Sequence, residues 1–171
     1  MITPAYVRTM TAYNAEMNRR LYEPAARLSD AQRKEERGAF WGSLHKTLAH
    51  ILWGDRMWMS RFAGWEKPGT GLKQSALWID DFAALKEQRF ALDARIEDWA
   101  KTVTQPWLDE TLVWFSAAAQ REISLPRSLL VTHFFNHQTH HRGQAHALIT
   151  GLGERTEDTD LFLVVPAIID A

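Results

Sequence analysis

The chain has 171 residues, a formal net charge of −1 and no cysteine, and 46% of its residues are hydrophobic. This composition favours one globular domain over residues 1–171 and is not typical of a disordered chain. Near-zero charge without a long basic run argues against nucleic acid or an anionic membrane as a partner, and the lack of cysteine excludes disulfides, thiolate metal ligands and a cysteine nucleophile from this chain. The first eight residues contain no apolar run, so we expect no secretory signal and a cytoplasmic location.

Helical periodicity predicts three long helices in the first two-thirds of the chain. They extend over about residues 3–21, 43–63 and 75–102. The first two begin with residues that cap helices well, a threonine before a proline and then a serine. The third has an apolar stripe that starts at Trp78, and Asp93 falls on its opposite face, which we assign to solvent.

The second of these helices carries polar side chains near its apolar stripe. Asp55 lies inside the stripe, where a buried carboxylate needs a partner, and His50 lies at its edge. Trp53, Met57 and Trp58 are candidates for the wall of a pocket, although packing in the core is the simpler interpretation.

A short extended insert precedes the last helix. Residues 111–115 and 121–125 have strand character, and residues 116–120 can join them as a small hairpin. Near the end, residues 161–165 form an apolar patch that we expect to pack back on the helices. The whole pattern predicts an all-α fold, a four-helix bundle with a small β-hairpin or extended insert before the last helix.

The last helix, Leu125 to Gly151, has an unusual apolar seam. Apolar residues recur along it at intervals of three and four, as expected of a helix packed in a bundle. The middle of the seam, however, is occupied by His137, His141 and Gln144. Imidazoles one turn apart that point toward a core require an explanation.

A metal site is one explanation for these histidines. Because His137 and His141 are four residues apart on a helix, they lie close enough to bind one ion, and His50 on the second helix can supply a third ligand. Three neutral imidazoles suit Zn²⁺, Ni²⁺ or Fe²⁺ and leave a coordination position for water or substrate. We expect the three Nε2 atoms to lie within about 4 Å of one another. The competing interpretation is a structural bundle whose core histidines are hydrogen-bonded without a metal.

Further polar residues are candidates for roles around the ligands or in the pocket. Asp55 is suited to orient a ligand or to pair with a cation. Arg142 and Gln144 are suited to contact an anionic or amide-bearing substrate, and Arg142 is equally suited to a structural ion pair. His133 and His140 flank the histidine face of the last helix.

Three segments of the chain resemble the DinB/YfiT-like superfamily, which is unrelated to the DNA polymerase that shares the label. The resemblance rests on Asn136-His137-x-x-x-His141-Arg142-Gly143-Gln144, on residues 48–58 with their histidine followed five positions later by an acid, and on Asp158-Thr159-Asp160-Leu161. It implies a four-helix bundle, one divalent metal ion held by His50, His137 and His141, and a homodimer.

The resemblance also implies a class of reaction. Characterised members are thiol-dependent enzymes that use low-molecular-weight thiols, such as mycothiol or bacillithiol, for S-transfer to electrophiles or for isomerisation of maleylpyruvate. The first hypothesis is therefore a metal-dependent thiol S-transferase acting on a small-molecule substrate. The alternative is a metal-binding stress-response or sensor protein without catalytic turnover, and the third is the structural bundle without metal.

Overall fold

The computed structural model of the protein describes residues 1–117 and 119–169, the last four of them by their backbone alone. Its architecture is the predicted four-helix bundle. The four long helices are α1 (Pro4–Arg27), α3 (Leu44–Phe62), α4 (Phe82–Thr102) and α6 (Arg127–Gly151). Three shorter helices and a 3₁₀ turn connect or extend them: α2 (Asp30–Lys34), the turn Leu72–Gln74, α5 (Gln105–Asp109) and α7 (Leu161–Ile169). Helix α1 packs on α4 and α6, and α3 packs on the same two helices.

Side-chain caps mark the start of three of the four long helices, α1, α3 and α4. The hydroxyl of Thr3 accepts a hydrogen bond from the backbone of Tyr6, and Ser43 caps α3 in the same way. The third long helix begins at Phe82, later than predicted, because the Asp81 carboxylate caps it at Ala84 N. Residues 75–81, expected to be helical, instead lie along α3, where the indole of Trp78 donates to a backbone carbonyl.

The predicted hairpin before the last helix is confirmed. Strand β1 (Thr111–Ser116) pairs antiparallel with β2 (Arg121–Pro126), and the turn contains Gln120 with a φ of 52°. Trp114 on β1 packs edge-to-face on Trp58 of α3, with ring centroids 5.9 Å apart. The hairpin is thereby held against one end of α3.

Buried charges cross the core between α3 and α4. Arg89 is fully buried, and its guanidinium contacts Asp55 Oδ2 at 2.5 Å and Asp93 Oδ1 at 2.7 Å. Asn18 of α1 donates to the Asp93 carboxylate. Asp93 was expected on the solvated face, but it is buried because it lies one turn from Arg89 and pairs with it. Burial raises the pKa of Asp93 to about 6, against the opposing effect of Arg89.

The apolar segment near the end of the chain packs only in part. Val164 is buried, and α7 contacts α1, but Leu161, Phe162 and Leu163 are exposed. Within the described part of the chain, no helix is both long enough and apolar enough to cross a bilayer.

Candidate metal centre

The contact between α3 and α6 brings the three predicted histidines together. His50 Nε2 lies 3.2 Å from His137 Nε2, and the ring centroids of His50 and His141 are 4.8 Å apart. One donor atom from each histidine lies within 4.8 Å of the other two, which is wider than the 4 Å expected from the sequence. The His50–His137 pair, at 3.2 Å, meets that expectation.

The spacing of the His50–His137 pair matches that of two ligands on a tetrahedral ion. Two nitrogens that each lie about 2.05 Å from such an ion are roughly 3.3 Å apart, close to the observed His50–His137 distance. His50 Nδ1 is 2.8 Å from Ser75 Oγ, and His141 Nδ1 is 2.8 Å from Gln144 Oε1. With the protons on these Nδ1 atoms, both rings present an Nε2 lone pair to the shared space.

The third ring is positioned by packing. His137 Nδ1 is buried and has no hydrogen-bond partner among the residues that the structure describes. The ring lies against Gly54, where an added Cβ would be 2.9 Å from His137 Cε1. The absence of a side chain at position 54 therefore leaves the space that His137 occupies.

The site favours neutral imidazoles. Burial lowers the pKa of His50 to about 3 and that of His137 to about 4, with further lowering from the neighbouring histidines. Burial also lowers the pKa of His141. Because metal ligands must be deprotonated, these shifts keep protons from competing with an ion at neutral pH.

A cavity of about 530 Å³ opens beside the histidines. Its walls are largely aromatic and include Trp41, Trp53, Trp58 and Trp114. The Trp41 ring stacks on His50 with centroids 4.1 Å apart. An ion held by the three imidazoles would face this cavity, which has room for a small organic molecule.

The other candidate residues lie at different places around the site. His133 lies on the cavity wall beside Trp58, and the exposed His140 contacts Gln144, which in turn contacts His141. Among these three residues, Gln144 is the one that forms a hydrogen bond with a proposed metal ligand, His141.

Asp55 and Arg142 lie away from the cavity. Asp55 pairs with Arg89 in the core. Arg142 is buried beside a separate cavity that Tyr13 also lines, and burial lowers its pKa to about 10. Its side chain bonds to Thr139 in its own helix.

Sequence reasoning missed several residues of the site. Ser75 was placed at the start of a helix, and nothing in its neighbourhood in sequence indicates contact with His50. Trp41 lies in the loop before α3, and Arg61 near the end of α3, yet both line the cavity. The signal for Arg61 was available, because it lies eleven residues after His50 on the same helix, close to a whole number of turns.

Comparisons with known proteins place the chain in a family. No protein of curated function matches it. A crystal structure of a DinB-like protein from Bacillus cereus ATCC 10987 is similar, with a TM-score of 0.65 and 18% sequence identity, over 85% of this chain and 90% of that one. At this identity the likeness shows the shared fold. The model of the DinB family matches residues 1–167, and the chain therefore belongs to the DinB family.

Proposed function

We propose that this protein binds one divalent metal ion, Zn²⁺, Ni²⁺ or Fe²⁺, through His50, His137 and His141 and uses it in thiol-dependent S-transfer to a small electrophile. The observation that carries the proposal is the convergence of three imidazoles with low pKa values at the wall of an aromatic cavity. Three protein ligands leave at least one position for an exogenous group, as in catalytic rather than structural sites.

The proposed chemistry needs a thiol from outside, since the chain has no cysteine. A divalent ion in this site would lower the pKa of a bound thiol, so that the thiol is present as thiolate. In such a transfer the thiolate sulfur would form a bond to an electrophilic carbon of the substrate, and the leaving group would depart with the electrons of the broken bond. A cytoplasmic location would supply a low-molecular-weight thiol in its reduced form.

Residues of the chain prepare this step. The hydrogen bonds that the Nδ1 atoms of His50 and His141 donate to Ser75 Oγ and Gln144 Oε1 fix the orientation of the two rings. The tryptophan side chains give the space beside the histidines apolar walls, so a bound substrate would displace water there and strengthen the electrostatic interactions of a thiolate.

The test is elemental analysis of the purified protein beside His50→Ala, His137→Ala and His141→Ala. We expect about one equivalent of metal in the wild type and a large loss in each variant. His146→Ala is the matched control, because His146 lies on the same helix but bonds to Thr156 outside the site. Full metal content in all three site variants would refute the ligand assignment.

Activity is tested separately with the metal-loaded protein, a low-molecular-weight thiol and a chromogenic electrophile such as 1-chloro-2,4-dinitrobenzene. Thiol consumption that depends on the metal supports S-transfer. Bound metal without turnover for any common thiol would support the metal-binding sensor instead. The third hypothesis, a structural bundle without metal, predicts no bound ion. It also predicts that His137→Ala lowers the free energy of unfolding by little more than the cost of a cavity, about 2–5 kcal/mol.

We also propose that the protein forms a homodimer. The support is a set of exposed apolar side chains on α7 and the hairpin: Leu161, Phe162, Leu163, Val113 and Phe115. Light scattering after size-exclusion chromatography should give twice the 19.7 kDa mass of one chain. A monomer at micromolar concentration would refute this part of the proposal.

A further inference from the structure

Arg61 lines the cavity beside the histidines without an acidic partner. Its guanidinium lies over two indoles of the cavity wall, 4.5 Å from the Trp58 ring centroid and 5.4 Å from that of Trp114. No carboxylate within the described residues forms an ion pair with it. Burial lowers its pKa, in accordance with a cation that is partly removed from water and not compensated by an acid.

The residues that the structure describes along the cavity carry positive charge and no negative charge. The described residues that line it include no aspartate or glutamate. With a divalent ion on the neutral histidines, the cavity would hold the ion and Arg61 as positive charges, with no negative charge from the protein facing them. A partly enclosed cavity with largely apolar walls and two uncompensated positive centres favours an anionic ligand.

The two positive centres are supplied from positions well separated along α3. His50 and Arg61 are eleven residues apart on α3, which corresponds to roughly 16 Å along the helix axis. Helical side chains point back toward the N-terminus, and arginine is longer than histidine, so the guanidinium lies nearer the histidines than this spacing. The Trp58 ring contacts the Arg61 guanidinium and also His133, whose ring lies 6.0 Å from that of His137, and it offers a flat apolar surface between the two centres.

We infer that the molecule bound in this cavity has two anionic ends, a thiolate or similar group directed at the histidines and a carboxylate held by Arg61, joined by a flat apolar body. The inference rests on the proposed function and adds a substrate class to it. A guanidinium is suited to this role because it binds a carboxylate through two parallel hydrogen bonds while stacking on aromatic faces.

The test uses the protein loaded with Co²⁺ and two thiols of the same shape, 4-mercaptophenylacetate and 4-mercaptophenylacetamide. Thiolate binding to cobalt is followed by the sulfur-to-metal charge-transfer absorption, so no turnover is needed. We expect the wild type to bind the carboxylate at least tenfold more tightly than the amide. In Arg61→Met the two affinities should become equal within about twofold, with unchanged cobalt content, and Arg61→Lys should retain part of the preference.

Arg56→Met is the matched control, because Arg56 is on the same helix and lies over Trp78, outside the cavity. It should keep the wild-type preference for the carboxylate. A wild type that binds both thiols equally, or an Arg61→Met protein that keeps the preference, would overturn the inference and leave the proposed function intact. Absence of bound cobalt, or of the absorption band with both thiols, would refute the proposed function and this inference with it.

Discussion

Replacement of Gly54 by alanine should weaken metal binding without unfolding the protein. An added Cβ would lie 2.9 Å from His137 Cε1 and 3.4 Å from His137 Nδ1. Non-bonded carbon atoms prefer about 3.5–4.0 Å, so the imidazole must move by roughly 0.6–1.1 Å. Metal–nitrogen distances vary by only about 0.2 Å in working sites. We therefore expect at least about a tenfold loss of affinity, equivalent to about 1.4 kcal/mol.

The same substitution improves the helix. Alanine is favoured over glycine within a helix by about 1 kcal/mol, which offsets the cost of moving the ring. The free energy of unfolding of the metal-free protein should therefore change by less than about 1 kcal/mol. The two measurements, metal affinity and the free energy of unfolding, therefore distinguish damage to the site from damage to the fold.

Gly143→Ala on α6 is the matched control. Gly143 is exposed, and an added Cβ there meets no atom within 4 Å among the described residues. It should stabilise the protein by up to about 1 kcal/mol and leave metal affinity unchanged. Affinity is measured by competition with a chelator, and stability by urea unfolding with the metal removed. A Gly54→Ala protein with wild-type affinity would show that the ring position does not depend on this glycine.

Three further outcomes are expected. Ser75→Ala removes the hydrogen-bond partner of His50 and should lower metal affinity by about 10–100-fold in the same chelator assay, whereas unchanged affinity would assign Ser75 no part in orienting the ring. Asp55→Ala leaves Arg89 without one of its buried partners and should lower the free energy of urea unfolding by about 3–5 kcal/mol. The control Asp98→Ala, which breaks the exposed pair with Lys101, should lower it by less than about 1 kcal/mol. Equal losses would contradict the buried ion pair. The metal-free protein should lose stability as the pH falls below 6.5, because burial lowers the pKa of His50 to about 3 and only the unfolded chain then takes up the proton. At pH 5 the loss in the free energy of unfolding is about 2 kcal/mol. His50→Gln should flatten the slope of stability against pH.

The bundle was predictable from the sequence because its helices have strong periodic patterns and clear caps. The hairpin was also predicted, from strand character on either side of the short joint at residues 116–120. The start of α4 was placed too early, since the periodic position of Trp78 suggested a helix that tertiary contacts prevent. Asp93 was assigned to solvent because a helical wheel places it opposite the apolar stripe and does not reveal that it pairs with the buried Arg89.

The metal centre was predictable only in part. The spacing of His137 and His141 puts both on one face of α6, and the position of His50 on another packed helix makes it a reasonable third ligand. The contact from Ser75 depends on how the segment before α4 folds back on α3, and the stacking of Trp41 depends on a loop. Such contacts are set by tertiary structure and leave no periodic signal in the sequence.

The buried pair of Asp55 and Arg89 also determines how α3 can slide against its neighbours. A displacement of α3 along its axis by one turn, 5.4 Å, would carry His50 away from His137 and His141 and would also separate Asp55 from Arg89. Separating them costs about 3–5 kcal/mol, whereas apolar side chains, whose interactions are non-directional, resist such a slip less. The ion pair therefore disfavours the neighbouring registers of α3 against α4. Since Asp55 and His50 are on the same rigid helix, a charge pair that no histidine touches helps to hold His50 at its level in the bundle.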